Sequence, residues 1–513
     1  MDNSAPAAPS GARALDRRIL ALALPTFATL VSEPLLLLAD SAVVGHLGTE
    51  PLAALGLCSN VLNVLVGLSI FLAYGTTGTV ARRLGAGDRL AALSGGIDGL
   101  VLAVLVGVVL AVALELALPF VVGLYGVDPA IETLALRYLR VAALGLPSVL
   151  VLLAGTGVLR GLQDARTPLV VVVATNLVNI ALNVTLVYGA GLGIAGSALG
   201  TLIAQTGAAV AVVVVVVRRT RAAGATVAFR PRGVAAVARS GGWLVVRTAL
   251  LQAAVTTNTV VAAALGATAL AAHQVIGGLW VLLAFALDAV AIAGQALIGS
   301  ALGAGDVALG RALTRRMLGW GVVSGLVFGL ALVVARPAYV GLFTPDPAVQ
   351  ELVGRVVLVV AAQAALAGVV YVLDGVLIGA GDARYLALAG LVSLALYLPV
   401  ALLVRHLGVG LAWVWASYAV FMAARALTLG FRARGIAGFE WGPEGSGPGV
   451  VRDADPFRAL RQAQGASRAQ ALQQAQGASR RKPFGGLGNR EPSGCSLFGL
   501  SHLVAEQGEP ALT

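Results

Sequence analysis

Charge is scarce in this chain. Only 12% of its 513 residues are Asp, Glu, Lys or Arg, against about 25% in soluble domains. Cysteine is scarcer still: Cys58 sits in an apolar run and Cys495 in a polar tail, so neither a disulfide framework nor a thiolate metal site is implied. The four histidines, His46, His273, His406 and His502, form no HExxH motif and no paired ligand spacing. No GxSxG or Walker sequence appears, which leaves no nucleophile or phosphate cradle to assign. The expectation is a protein that is not an enzyme, with no catalytic residues, no metal site and no cofactor. Lysine is nearly absent, Lys482 standing alone among 35 basic residues. The formal charge of +11 is therefore carried by arginines. They punctuate the ends of apolar runs and form no patch interleaved with aromatics, which argues against nucleic acid as a partner. The first apolar run, Leu20 to Val44, is too long for a signal-peptide core and lacks a clear cleavage site.

What the chain has in abundance is apolar length. Hydrophobic residues make up 58% of it, and mean hydropathy is +0.90. Runs of about 20 residues or more recur, enough for a helix to cross the hydrocarbon core of a bilayer. About twelve such spans lie between residues 17 and 431, and lipid requires them to be helices because it offers backbone groups no partner. Arginines, among them Arg82, Arg160, Arg230 and Arg425, fall at span ends that share one face of the membrane. The opposite face holds few. This bias places both termini in the cytoplasm. The Ala, Gly, Val and Arg excess fits a GC-rich genome, so the expected location is a bacterial plasma membrane, crossed many times.

The chain also repeats itself. LGTEPLAAL (47–55) matches LGATALAAH (265–273), RLGAGD (83–88) matches ALGAGD (301–306), GLYGVDPA (123–130) matches GLFTPDPA (341–348), and RGLQDAR (160–166) matches IGAGDAR (378–384). Every pair is separated by 218 residues, a constant register that marks a duplication. Six spans per copy is even, so both copies enter from the same side and form parallel repeats about an axis along the membrane normal. The expected fold is all-α and membrane-integral, with an N-terminal tail (1–16), an N-lobe (17–217), an inter-lobe loop (218–234), a C-lobe (235–434) and a disordered cytoplasmic tail (435–513). That tail repeats QAQGASR at 462–468 and 474–480 and has no core-forming pattern. A substrate site is expected between or within the lobes.

Charges inside the spans need a reason, since an Asp at a helix centre costs about 2.5–3.5 kcal/mol on insertion scales. In the first span Thr26, Glu33 and Asp40 recur every seven residues and share a face. Pro25 and Pro34 interrupt the same helix and should bend it. The fifth span carries Asn176, Asn179 and Asn183 on one face, either as helix glue or as a cation or proton network. In the second half, Asp288 and Gln295 are seven apart, and Gln363, Tyr371 and Asp374 fall near one face. Arg247 is a lone cation expected to pair with Asp288 or Asp374. Asp98 lies near a span end and should reach the interface.

Several segments carry a wider likeness: PLLLLADSAVVGHLG (34–48), ARRLGAGD (81–88), VLRGLQDARTP (158–168), NLVNIALN (176–183), AAHQV (271–275), ALDAVAIAGQALIG (286–299) and VLDGVLIGAGD (372–382). Together, and in this order over residues 15–434, they resemble the multidrug and toxic compound extrusion (MATE) family, its DinF-like branch most of all. The resemblance implies two six-helix bundles around a V-shaped cleft. It implies an antiporter that exports drugs or other small organic compounds, cationic ones among them, in exchange for protons or sodium, within the lipid bilayer and without an obligate protein partner. It assigns Asp40, Asn179 and Asn183 to cation or proton coupling. It leaves Glu33, Asn176, Asp288, Gln295, Tyr371 and Asp374 as cleft residues. The chain departs from the pattern at Asn183, where the branch carries an acid. A lipid-linked oligosaccharide flippase of the same superfamily is one alternative, which a broad basic cleft would favour, whereas the charges inside the spans are mainly acidic; a non-transporting membrane scaffold is another.

Overall fold

A computed structural model describes residues 11–436, Thr226 apart. Most of the expected tail, with its QAQGASR repeats, lies outside the described residues. Fourteen helices make up the described chain: α1 (Ala12–Gly45), α2 (Thr49–Ser69), α3 (Phe71–Gly85), α4 (Arg89–Gly123), α5 (Pro129–Gly161), α6 (Arg166–Val184), α7 (Gly193–Ala222), α8 (Pro231–Ala264), α9 (Ala267–Gly303), α10 (Val307–Val334), α11 (Arg336–Phe343), α12 (Pro347–Ala380), α13 (Ala383–Leu407) and α14 (Leu411–Ile436). A π-helical turn, Thr185–Gly189, extends α6. Helices α2 and α3 form one span broken at Ile70, and α11 is a short extra turn, so twelve helices among the described residues are long and apolar enough to cross a membrane. The protein is thus a multi-pass, all-helical membrane protein. Residues 12–16, expected in the N-terminal tail, already belong to α1.

The internal repeat is visible atom by atom. Asp88 caps α4 by accepting from the Ala91 amide (2.7 Å), and Asp306, 218 positions later, caps α10 by accepting from Leu309 (2.8 Å). Asp128 and Asp346 form a second matched pair, accepting from Ala130 and Ala348. Each satisfies an amide that the helix start would otherwise leave unbonded. Glycine packing obeys the same register. A Cβ at Gly157 would strike the Ala73 carbonyl, and one at Gly375 would strike the carbonyl of Ala291, the counterpart of Ala73. Small residues let α5 meet α3, and α12 meet α9, at backbone distance.

With an even number of spans, both ends of the described chain lie on one membrane face, called here the entry face. The lobes meet there. The backbone of Ser300 blocks any Cβ at Gly85, and the backbone of Arg82 blocks any Cβ at Gly303. Arg82 and Ser300 are repeat counterparts, as are Gly85 and Gly303, so a single contact is made twice across the pseudo-two-fold axis. Arg82 then crosses the interface and donates to the carbonyl oxygens of Gly379 (2.8 Å) and Ile378 (3.4 Å) near the end of α12. We expect Gly303→Val to prevent this closure while leaving each lobe intact. Purified Gly303→Val should label far faster than its parent at a cysteine introduced on the entry-face cleft wall, and should transport poorly. Parental labelling and transport would show that the contact is not the closing one.

Candidate functional site

Helix α1 divides its packing between the two lobes. Leu15, Ile19, Leu22 and Ala23 are buried in a core with Val290, Leu297, Leu302, Met317 and Val376, all from the second repeat. Asp16 fastens this half by accepting from Trp320 Nε1 (2.8 Å) and from the guanidinium of Arg316. Beyond Pro25 and Pro34 the helix changes sides. Val44 lies in a core of α2, α4, α5 and α7, and the Val43 carbonyl accepts from Tyr188. By packing, the lobe boundary therefore runs through α1 rather than before it.

On the N-lobe half sits Asp40, buried at 6% exposure. Its Oδ1 accepts from Asn183 Nδ2 at 2.6 Å; the same amide donates to Asn179 Oδ1 (3.0 Å), and Asn179 Nδ2 donates to Thr201 Oγ1 (2.9 Å). Asn179 and Asn183 are fully buried. The polar face expected on the fifth span thus meets the polar face of the first. Gly200 makes room for it: a side chain there would collide with Asn183. Thr201, on α7, was not foreseen, because a threonine in an apolar run carries no signal by itself. Asn176 donates to the Ser32 carbonyl (3.0 Å), close to Pro34 and apart from the Asp40 chain. Glu33 is exposed, although Thr26 and Asp40, seven residues to either side of it, are buried.

The second repeat builds its version of this site from other residues. Asn258 stands where the register puts Asp40, and Tyr397 where it puts Asn179; the tyrosine hydroxyl donates to Asn258 Oδ1 (2.7 Å). Tyr418 occupies the position of Gly200, against Tyr397 and Trp415, while Ala401 replaces Asn183. Bulk has moved from one helix to its neighbour and the carboxylate is gone, so a buried acid of this kind exists in one lobe alone among the described residues.

The carboxylates expected in the second half fall into a different setting. Asp374 is no free cation site near a solvated end. Its Oδ2 accepts from both Arg247 (2.5 Å) and Arg425, and all three residues are buried. The expected pairing of Arg247 is thereby resolved in favour of Asp374. Asp288 accepts from Tyr74 (2.9 Å). Gln295, expected beside Asp288, is instead buried with its Oε1 unpartnered, and its backbone lies against Gly379. It belongs to the α9–α12 packing. Two arginines read as topology markers are also elsewhere than expected. Arg160 and Arg425 are buried inside the protein, and Arg230 forms a two-pronged bond with Asp98 (2.6 and 3.2 Å). Asp98 is 1% exposed and does not reach an interface, because the start of α8 covers it. Glu115, within α4, pairs with Arg140 at 3.7 Å, both exposed.

Comparison with known proteins agrees with this geometry. The chain is 30% identical to Protein DETOXIFICATION 44, chloroplastic, of Arabidopsis thaliana, over 81% of each chain. It is also 30% identical to DNA damage-inducible protein F of Escherichia coli, over 81% of this chain and 91% of that one. In fold it matches the Vibrio cholerae MATE transporter VcmN in the bent form, with a TM-score of 0.76 and 21% identity, over 83% of this chain and 98% of that one. The MatE family profile matches residues 25–185 and 244–403, one segment in each repeat, and the chain belongs to the MatE family of multi-pass membrane transporters.

Proposed function

We propose that the protein is a proton-coupled antiporter of a bacterial plasma membrane, exporting small organic compounds by alternating access, with Asp40 as the group that carries the coupling proton. The entry face is cytoplasmic in this reading, as the arginine bias supports. One observation carries the proposal: a buried carboxylate ends a hydrogen-bond chain on a helix whose two halves are fastened to different lobes.

The chain can reverse. While Asp40 is ionised, Asn183 donates both to it and to Asn179, and Asn179 donates to Thr201. A protonated Asp40 becomes a donor and needs an acceptor. Asn183 Oδ1 is buried without a partner and can serve if the amide turns over. Asn179 then turns in step, and the Thr201 hydroxyl, able to donate as well as accept, donates to it. Protonation also removes a buried charge, which changes how tightly the outer half of α1 is held. Because the entry half is anchored by Asp16 and the C-lobe core, that change bears on the angle between lobes at Pro25 and Pro34. At about 100 mV, one proton moving inward releases about 2.3 kcal/mol.

The test uses proteoliposomes with proton and sodium gradients imposed separately. A proton gradient alone should drive export of ethidium, and a sodium gradient should not; the opposite result would make sodium the coupling ion. Asn183→Ala should slow transport only in part, since an amide carries no proton itself. Asn183→Asp should move the pH optimum, and an unchanged profile would remove Asn183 from the coupling chain.

A further inference from the structure

Arg160 is a buried cation without a counterion. It is 7% exposed, its Nε has no partner, and among the described residues no carboxylate lies within ion-pair distance of it. Isolated buried charge is strongly unfavourable, and proteins normally pair it. The last turns of α5, which carry Arg160, pack on the turn of α3 that carries Tyr74, where Thr77 Oγ1 donates to the Gly157 carbonyl (3.0 Å), and Asp288 is already engaged by the Tyr74 hydroxyl. Nearby, Arg247 and Arg425 converge on one oxygen of Asp374, leaving Arg247 Nε unpartnered as well. Three arginines against two aspartates leave this cluster with one net positive charge.

None of the five charges is inherited from the duplicated scaffold. In the other repeat, the counterparts of Arg160, Arg247, Arg425, Asp288 and Asp374 are Ile378, Thr29, Gly207, Ile70 and Thr156. The same helix geometry is thus built without charge in the other copy, and packing alone does not call for a guanidinium at 160. Arg160 belongs to α5 of the N-lobe, while Asp288, Arg247, Asp374 and Arg425 belong to the second repeat. The excess charge stands where the lobes face each other, above the entry-face closure made by Gly85 and Gly303.

We infer that this cluster is an anion site, at which Arg160 receives a carboxylate group of the exported compound, with Arg247 Nε as a second donor. A planar guanidinium matches a carboxylate in two-pronged geometry. The bound anion would complete the charge balance of the closed site, and its departure would leave Arg160 unpaired until water reaches it. The compounds handled then include organic acids or zwitterions in solution, beside cations such as ethidium that bind without Arg160. This rests on the transporter reading above and extends it.

Binding on the purified full-length protein tests the site independently of transport. Fluorescence anisotropy of carboxyfluorescein, an anion, and ethidium, a cation, is measured for the parent, Arg160→Gln and Arg160→Lys. The parent should bind carboxyfluorescein, and benzoate should displace it. Arg160→Gln should weaken carboxyfluorescein binding by about tenfold or more, the scale of one charged hydrogen bond, and leave ethidium within about twofold, and Arg160→Lys should recover part of the loss. Equal weakening of both dyes, or of neither, would overturn the inference. So would binding of dodecyl phosphate without competition by benzoate, which would place the anion on a lipid. Should Arg160→Gln fail to purify, Arg160→Ile, which copies the other repeat, takes its place with the same expected pattern. Selective binding with no gradient-driven movement of either dye would count against the transporter reading and leave the anion site standing.

Discussion

Asp40→Asn will insert and fold, yet lose proton-driven efflux. The substitution keeps the shape of the side chain and imitates its neutral form. The amide can still bond Asn183, since each partner offers both a donor and an acceptor, so the contact between α1 and α6 survives. What disappears is the capacity to gain and release a proton. The hydrogen-bond chain through Asn183, Asn179 and Thr201 then rests in one polarity, and the outer half of α1 stays in the arrangement suited to the neutral state. Drug efflux from cells with matched expression should fall to the level of cells lacking the transporter. Substrate binding to the purified Asp40→Asn protein should persist and lose its dependence on pH. Parental efflux would sink the proposal, because a residue that need not ionise cannot be the essential proton carrier. A loss of binding at every pH would instead make Asp40 a substrate contact.

The second repeat sharpens the expectation. At the position of Asp40 it carries Asn258, held by Tyr397, within an aromatic cluster of Trp280, Trp415, Tyr418 and Phe421. That lobe shows that the fold accepts an amide at this point. The retained carboxylate of the first lobe is therefore a departure from what packing needs.

Much of this architecture is legible in the sequence. Apolar length forces helices in lipid, and the constant separation of 218 residues forces two parallel copies. The hydrogen-bond chain at Asp40 was legible for a related reason: heptad spacing on α1 and the spacing of three asparagines on α6 each define a face, and two polar faces in lipid must find each other. Of the cation cluster, only the pairing of Arg247 was legible. Arg160 and Arg425 lie close to the ends of apolar runs, where arginines ordinarily mark topology, and position along the chain does not reveal that a neighbouring helix or the opposite lobe covers them. Asp98 misled in the same way, since its partner Arg230 arrives from 132 residues away. The division of α1 between lobes was hidden too. An apolar stripe such as Leu15, Ile19 and Leu22 declares that it will be buried, but not against which half of a duplicated protein.

Asp374→Asn should be the most damaging single change, and its effect should be on folding. Asp374 draws two buried guanidinium groups onto one oxygen. Neutralising it leaves Arg247 and Arg425 adjacent, unpaired and repelling each other away from water. Breaking a buried ion pair by removing one partner costs about 3–5 kcal/mol, and here two cations lose the same partner. A loss on that scale is comparable to the whole stability of many proteins. Asp374→Asn should therefore give little monodisperse protein on size exclusion, whatever substrate is supplied. Asp288→Asn, whose carboxylate is held by a tyrosine, should purify normally. The decisive variant removes the network together: Arg247→Gln and Arg425→Gln added to Asp374→Asn. Replacing a complete buried charge network is often close to neutral, and the first repeat packs Thr29, Thr156 and Gly207 at the equivalent positions. The triple variant should thus recover monodisperse yield while remaining inactive in transport. A well-folded Asp374→Asn would show that water reaches the arginines in the membrane. A triple variant as poor as the single one would show that the aspartate holds α12 by its shape, and not by its charge.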